Sequence, residues 1–450
     1  MLKVVETFSG IGSQAKALNN IGIDYEITCT ADWDINAMIA YDLIHNGAQD
    51  LNRYKNMSKQ ELLQSLSKYT LSLDGKKPAT TKNMQDLSEE VLKRVLCAIN
   101  RCNNLVSITD IRGQDLPNRI DLLTYSFPCQ DLSVAGNWHG NKSGIDRNAH
   151  NRSGMLWEVE RILKERISEK MELPRFLLME NVSNILSDRH KDNFKEWTDY
   201  LEEIGYFNQI YTLDASKFGI PQKRVRTYMI SVLVKNDEAK KRKVKNYFRN
   251  HNLQDDGVID SLNIKQRNLK EFLRLDYGKE KYRIEADMCQ PNDTPSRKDI
   301  YEFNTKIYQN KRIVAKTVPT VTTKQDRHPN SGVIDYYNGK EGKSKFRYLT
   351  PRECFLLMGF DEKDYDNIVN NNFEYRKRNF FNMEKLNRMA GNSIVVDVLE
   401  EIFKQVNYIN EKIFEEELEM QHTQRTSMDI IKSKLAGLFN AQNEAYQVIK

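Results

Sequence analysis

Leu2-Lys-Val-Val-Glu-Thr-Phe-Ser-Gly-Ile-Gly-Ser-Gln-Ala15 decides the fold class, because it reads as strand, glycine turn and helix start in immediate succession. Leu2 to Phe8 is a short β-favouring run. Gly10 and Gly12 permit a tight backbone turn and close ligand approach. The pattern Ala15, Ala17, Leu18 and Ile21 then has helical spacing, and the start of such a helix offers free N–H groups to a polar ligand. A second β-favouring run, Tyr25-Glu-Ile-Thr-Cys-Thr-Ala31, ends at Asp32-Trp33, with Asp32 twenty residues beyond Gly12. An acidic residue at that offset suits a ribose hydroxyl, and an indole beside it can pack on an adenine face. The pair points to an α/β fold holding an adenosine-containing ligand, either a nicotinamide dinucleotide or an adenosyl sulfonium.

Working outward, Asp121-Leu-Leu-Thr-Tyr-Ser-Phe127 reads as a buried strand that stops at Pro128, placing Cys129 and Gln130 on the loop at its carboxyl end. In an open α/β sheet that edge is where ligands bind. A lone cysteine is most often a small buried hydrophobe. A nucleophilic one needs cations or a helix start to favour the thiolate. Phe176-Leu-Leu-Met179 is another apolar strand and ends in Glu180-Asn181-Val182, a carboxylate that is either paired structurally or placed for chemistry. Gln222, Arg224 and Arg226 alternate along an extended segment and so share one face, which aims two guanidiniums at the same edge. Ser107 to Ile111 resembles a further strand end, with Asp110 a candidate partner for an adenine amino group. The turn-rich stretch from Asp131 to Gly154 reads as a mobile loop over the site.

The 450 residues are enough for two or three domains, and 39% hydrophobic with 29% charged residues is a globular composition. No apolar run approaches the roughly 18 residues of a membrane span, and Met1 to Glu6 lacks a signal-peptide pattern, so a cytoplasmic protein with no membrane partner is expected. Six cysteines without a C-x-x-C pair and seven histidines without an H-x-x-x-H cluster argue against a disulfide scaffold or a metal site. The net charge of +5 permits a nucleic-acid partner without demanding one. Residues 46–104 are polar and lysine-rich with helical patches, and read as a charged, largely solvated insertion between two strands. Residues 235–346 are polar, basic and aromatic; within them Lys240 to Lys245 is either a phosphate contact or a solvated helix face.

Taken together and in order, these blocks resemble the cytosine-C5 DNA methyltransferase family of bacterial or phage type. The resemblance rests on Phe8 to Gly12, Asp32-Trp33, Pro128-Cys129-Gln130, Glu180 to Val182 and Gln222 to Arg226. It extends to Arg347-Tyr-Leu-Thr-Pro-Arg-Glu-Cys-Phe-Leu-Leu-Met-Gly-Phe360 and Gly391-Asn-Ser-Ile-Val-Val-Asp-Val-Leu399. The central blocks are most similar to those of bacterial and mollicute CpG-type enzymes.

The resemblance implies an α/β, Rossmann-like S-adenosylmethionine-dependent methyltransferase sheet completed by the C-terminal segment, plus a smaller target-recognition domain. The divisions it implies are a catalytic and cofactor-binding domain at 1–234 and a target-recognition domain at 235–375 that includes the ninth-motif helix. A segment at 376–403 then returns to the catalytic domain, and a helical extension follows at 404–450. It also implies that Cys129 adds to C6 of a flipped cytosine, Glu180 holds the N3 and 4-amino edge, Arg226 binds O2 and Arg224 favours the thiolate. Pro128, Gln130, Asn181 and Gln222 would line the substrate pocket. Phe8, Gly10, Ile11 and Gly12 would surround the donor's adenosine, with Asp32, Trp33, Asp110 and Ile111 on its ribose and adenine. Asn392 and Ser393 would reach the methionine end. Thr320-Val321 matches the family's threonine-plus-aliphatic pair, and Lys324, Gln325 and Arg327 after it suit base edges in duplex DNA.

The implied activity is DNA methylation in a restriction-modification or protective system, with a cognate restriction endonuclease as the companion such a system carries. Two alternatives share the blocks: a tRNA cytosine-C5 methyltransferase, and a catalytically silent DNA-binding regulator. The long basic segment before Arg347 favours duplex DNA over the first, and intact Cys129, Glu180 and Arg226 argue against the second.

Overall fold

Successive residues of the first strand face opposite ways, Val4 into one apolar layer and Val5 into another, and this alternation builds a sheet covered on both sides. The computed structural model describes residues 1–128, 132, 145–147 and 152–415. Its main sheet has six strands among the described residues, in the order β2-β1-β3-β4-β6-β5. They are β1 (Leu2–Thr7), β2 (Tyr25–Ala31), β3 (Leu122–Tyr125), β4 (Phe176–Val182), β5 (Tyr206–Asp214) and β6 (Val225–Leu233). The first four pair in parallel, and β6 runs antiparallel to both β4 and β5.

Register then fixes the edge. Thr7 pairs with Tyr125, Tyr125 with Met179 and Met179 with Met229, so Phe8, Ser126 and Glu180 stand at one level, the first two just past their strands and Glu180 where β4 outruns β3 and stays paired with β6. The chain passes from β2 to β3 on the other side of β1, which makes the crevice beyond β1 and β3 the topological switch point.

One apolar layer is built by α1 (Ser13–Ile21), α2 (Ile35–Asn46) and the C-terminal helix Val396–Ile409, which packs on α1. The other contains the helices Leu156–Ser168 and Lys191–Glu203, with Trp197 fully buried and its indole N–H donated to the Tyr125 hydroxyl at 3.1 Å. The C-terminal segment thus completes the fold with helix; all six strands come from residues 2–233.

Two expectations are corrected. The 46–104 insertion is not largely solvated: Leu62, Leu66, Leu71, Leu92 and Val95 are buried in the same apolar layer as α2, because its helices are amphipathic and dock by their apolar faces. Ser107 to Ile111 is a turn and not a strand end. Among the described residues no helix is long and apolar enough to cross a membrane, and no group of three or more His, Cys, Asp or Glu residues is placed to hold a metal ion.

Beyond β6, the basic run lies on the helix Glu238–Asn250, whose Val244 and Phe248 are buried; Phe248 stacks on Phe207 of β5 at a centroid distance of 6.2 Å. A second sheet, β10-β9-β7-β8, is formed by β7 (Lys306–Gln309), β8 (Arg312–Ile313), β9 (Val333–Asp335) and β10 (Phe346–Tyr348). It leads into the helix Pro351–Leu357, every residue of which is buried. A fully buried ion pair marks this passage: Arg347 donates to both Glu353 carboxylate oxygens at 2.8 Å. Glu353 also accepts the N–H of Thr350 and of Arg274, each at 2.8 Å.

Candidate active site

The glycine turn is built from left-handed backbone. Phe8, Gly10 and Gly12 have φ of 54°, 55° and 80°, a region that costs a non-glycine residue such as Phe8 strain. A Cβ at Gly10 would meet nothing within 4 Å, so its bare face opens toward the cavity it lines. Gly12 is glycine for another reason: a Cβ there would lie 2.1 Å from the His45 ring on α2, so it serves helix packing and does not line the cavity.

The Gly10 N–H donates to Asp32 Oδ2 at 2.8 Å, and the Asp34 N–H donates to Asp32 Oδ1 at 2.9 Å. Burial pushes the Asp32 carboxyl up to about 7, and the neighbouring Asp34 charge adds to the effect; the two N–H donors and the Arg388 guanidinium oppose it.

At the switch point lies a cavity of about 420 Å³. Phe8, Gly10, Ile11, Asp32 and Trp33 line one part of it, with Asn392 and Ser393 beside them. Pro128, Glu180, Asn181, Arg224 and Arg226 line it as well. Asp110 and Ile111 do not line it. Because residues 107–111 form a turn, Asp110 faces solvent, Ile111 enters the core, and Val106 to Thr109 line the cavity in their place.

Glu180 ends the apolar run of β4, two residues before the strand itself ends, so its carboxylate is largely buried near the sheet's edge. Burial raises its pKa, and the charges of Arg226 and then Arg224 oppose the rise. The Arg226 Nε stands 3.4 Å from Glu180 Oε1. Asn181 is turned under the site and donates to the Phe127 carbonyl at 3.1 Å, which fixes the backbone leading into Pro128. Arg224 donates to the carbonyls of Val321 (2.9 Å), Gly391 (3.1 Å) and Ser393 (2.8 Å), joining three segments distant in sequence while its charge still reaches Glu180.

Gln222 is displaced from its expected place. It is fully buried away from the cavity, its amide donates to the Leu357 carbonyl and its oxygen accepts the Val321 N–H, both at 2.8 Å. Cys129, Gln130 and the greater part of the expected loop after them lie outside the described residues.

Lys324, Gln325 and Arg327 line a separate cavity of about 710 Å³ between the second sheet's loops and the stretch Met383 to Asn387. Gln325 is 2% exposed, donating to the Thr322 carbonyl and accepting the Ser331 N–H, both at 3.1 Å, so its amide shapes its own loop and is not presented to a base edge. Lys324 and Arg327 are exposed, and Arg327 pairs with Asp326 at 3.2 Å.

Sequence reading missed Asp34 and Arg388, which are ion-paired at 2.9 Å on the cavity wall. The adjacency of Asp34 to Asp32-Trp33, and of Arg388 to Gly391, was the available signal.

A sheet parallel over its first four strands, with a glycine turn, an acid after its second strand and a close carboxylate–arginine pair lining one cavity, has the architecture of an α/β enzyme with its site at the switch point. The chain belongs to the family described as C-5 cytosine-specific DNA methylase, whose sequence profile matches residues 57–408.

It is 33% identical over 422 residues to the orphan methyltransferase M.SssI of Spiroplasma monobiae, covering 90% of this chain and 97% of that protein. It is 31% identical over 412 residues to the type II methyltransferase M2.ScrFI of Lactococcus lactis subsp. cremoris, covering 90% and 99%. Among solved structures, the S. pombe Dnmt2 methyltransferase superposes with a TM-score of 0.54 over 92% of this chain and 100% of that chain. At 16% identity this is a likeness of fold. The protein is therefore a DNA (cytosine-5-)-methyltransferase, an enzyme that methylates C5 of cytosine in DNA. Family and fold imply S-adenosylmethionine as the methyl donor.

Proposed function

We propose that this enzyme methylates a cytosine within a specific duplex sequence through a covalent adduct between Cys129 and C6 of a flipped base. The observation that carries the reading is the single cavity lined at one part by Phe8, Asp32 and Trp33 and at the other by Pro128, Glu180 and Arg226. The residues present fit the donor: the bare face of Gly10 leaves room for it, and the Asp32 carboxylate offers acceptor oxygens beside an indole.

S-adenosylmethionine, when bound, supplies an electrophilic methyl group. Carbon 5 of cytosine is a poor nucleophile until the ring loses aromaticity. The Cys129 thiolate adds to C6, and the electron pair of the C5–C6 bond becomes available at C5. Glu180, held toward its protonated form by burial, donates a proton to N3 so that negative charge does not build on the ring. Arg226 binds O2, and Arg224 fixes the surrounding loops and keeps the site positive. After transfer a base takes the C5 proton, and the returning electron pair expels the Cys129 thiolate. A stacked cytosine cannot reach such a cavity, so the base is flipped.

Pro128, Gln130 and Asn181 frame the base, while Lys324 and Arg327 contact duplex DNA from the second sheet's loops within the 235–375 recognition domain. The names of the relatives, type II and orphan methyltransferases, support a place in restriction-modification or protective methylation, with or without a cognate endonuclease, and a cytoplasmic location goes with that role.

Bisulfite sequencing of DNA from cells expressing the protein tests the reading. Conversion-resistant cytosines at one recurring sequence are expected, and their absence overturns it.

A further inference from the structure

The cavity wall contains a piece that the glycine turn and the catalytic residues do not account for. Thr70, Gly75 and Pro78 come from the 46–104 insertion, yet they line the same space as Trp33 and Asp34. This segment is laid along the corner between β2 and α2 by backbone hydrogen bonds. The Ser72 N–H donates to the Trp33 carbonyl at 2.8 Å, and the Ile35 N–H donates to the Ser72 carbonyl at 3.0 Å. Asn36 adds a side-chain bond to the Leu73 carbonyl at 3.0 Å. The turn is closed on itself: Ser72 is fully buried, its hydroxyl donates to the Lys77 carbonyl at 2.7 Å, and the Gly75 N–H returns to Ser72 Oγ at 3.0 Å. Gly75 has φ of +68° and sits so close that a Cβ would lie 3.0 Å from Asp34 Oδ2.

Arg388 ties this turn to the far wall. It projects from the helix Met383–Asn392, which runs directly into Ser393. One guanidinium nitrogen donates to the Asp74 carbonyl at 3.1 Å and the other pairs with Asp34 Oδ2 at 2.9 Å. A planar guanidinium can hold two acceptors in fixed directions, which a single ammonium does not. One side chain therefore joins the insertion, the Trp33-Asp34 corner and the turn carrying Asn392 and Ser393.

We propose that residues 70–78 form a strap completing the donor-binding cavity, and that Arg388 is the positioning residue holding strap, corner and C-terminal turn in register around the adenosyl ligand. This rests on the reading of the cavity as the donor site. The strap touches what the donor and its demethylated product have in common, so it governs affinity for both and acts on KM more than on kcat.

The test is calorimetric titration of the full-length protein with S-adenosylhomocysteine, together with initial rates against donor concentration and tryptic cleavage at the exposed Lys76–Lys77 bond. In the wild type, S-adenosylhomocysteine should protect that bond. Arg388→Ala should weaken product binding about 10-fold, the size expected from losing a charge-assisted hydrogen bond. It should raise the donor's KM by a similar factor with a smaller change in kcat, and abolish the protection. Arg388→Lys should recover part of the loss, and Arg388→Ala combined with Asp34→Asn should be less than additive. Gly75→Ala, strained by its positive φ and by the 3.0 Å approach to Asp34 Oδ2, should weaken binding in the same direction with only a small fall in melting temperature, because the strap lies outside the sheet's core.

Wild-type-like binding and protection in both Arg388→Ala and Gly75→Ala overturn the strap. A fall in kcat alone, with binding unchanged, overturns it as well. A wild-type protein that binds no S-adenosylhomocysteine overturns the donor-site reading, and the strap with it.

Discussion

Glu180 and Arg226 face each other across two antiparallel strands with 3.4 Å between carboxylate and guanidinium, and both line the cavity that also holds Asp32. Pairing of Glu180 with Tyr228 and of Val182 with Arg226 puts all four side chains on one face of the sheet. The carboxylate is thereby buried enough to favour its proton and close enough to a cation to be held in place.

On the proposed mechanism, Glu180→Gln removes the proton donor while keeping the shape. Transfer should slow at least about 100-fold, with S-adenosylhomocysteine affinity unchanged. The pH profile checks the same group. Burial raises its pKa, so the protonated form persists above the ordinary carboxylate range, and activity in the wild type should fall as pH rises through that raised value. A single-turnover rate of Glu180→Gln equal to wild type would remove this residue from the mechanism.

Cys129→Ser should abolish turnover and retain product binding. A duplex carrying 5-fluorocytosine at the target should form a covalent complex with the wild type, visible on a denaturing gel, because fluorine at C5 cannot leave as a proton. Trapping by Cys129→Ser would assign the nucleophile elsewhere.

Asp32 should make ligand binding depend on pH. Its carboxyl is raised from an ordinary 3.8 to about 7, and a ribose hydroxyl donates to the charged form, so affinity for S-adenosylhomocysteine should tighten as pH rises through about 7. By linkage, this group's contribution to stability is full below 3.8 and is lost as pH rises through about 7, a loss that bound ligand should oppose. Titration between pH 6 and pH 8 checks the binding dependence, unfolding measured from pH 4 to pH 8 checks the stability, and Asp32→Asn should flatten the binding dependence.

Glu353→Gln should destabilise the protein by about 3–5 kcal/mol, because it leaves the Arg347 guanidinium buried without its counter-charge. The urea midpoint should fall while the denaturant slope stays near the wild-type value. Replacing the pair by well-packed apolar residues should be far milder than breaking it.

The order of blocks along the chain was enough to place the sheet edge, the Asp32-Trp33 corner and the carboxylate near the end of β4. Each is announced locally: an apolar run stops, a glycine permits a turn, an acid follows. Expectations failed where a side chain's partner lies far away in sequence. Gln222 sits on an expected strand face, but the carbonyl of Leu357 and the N–H of Val321 claim its amide. Asp110 follows an apolar run, but the run folds as a turn and carries the carboxylate into solvent. The polar composition of 46–104 concealed an amphipathic docking surface, since charged residues on one face of a helix say nothing of the apolar face opposite.

Residue identity and spacing along the chain settled the α/β class and the family, and pointed to Glu180, Arg226, Asp32 and Trp33, which line one cavity, because strand periodicity and turn chemistry are short-range properties. Folding alone decided that Arg224 grips the carbonyls of Val321, Gly391 and Ser393, and that Arg388 meets Asp34 and Asp74. A guanidinium satisfies itself from whichever carbonyls and carboxylates packing brings within reach, and those contacts span from 97 to 354 residues of chain.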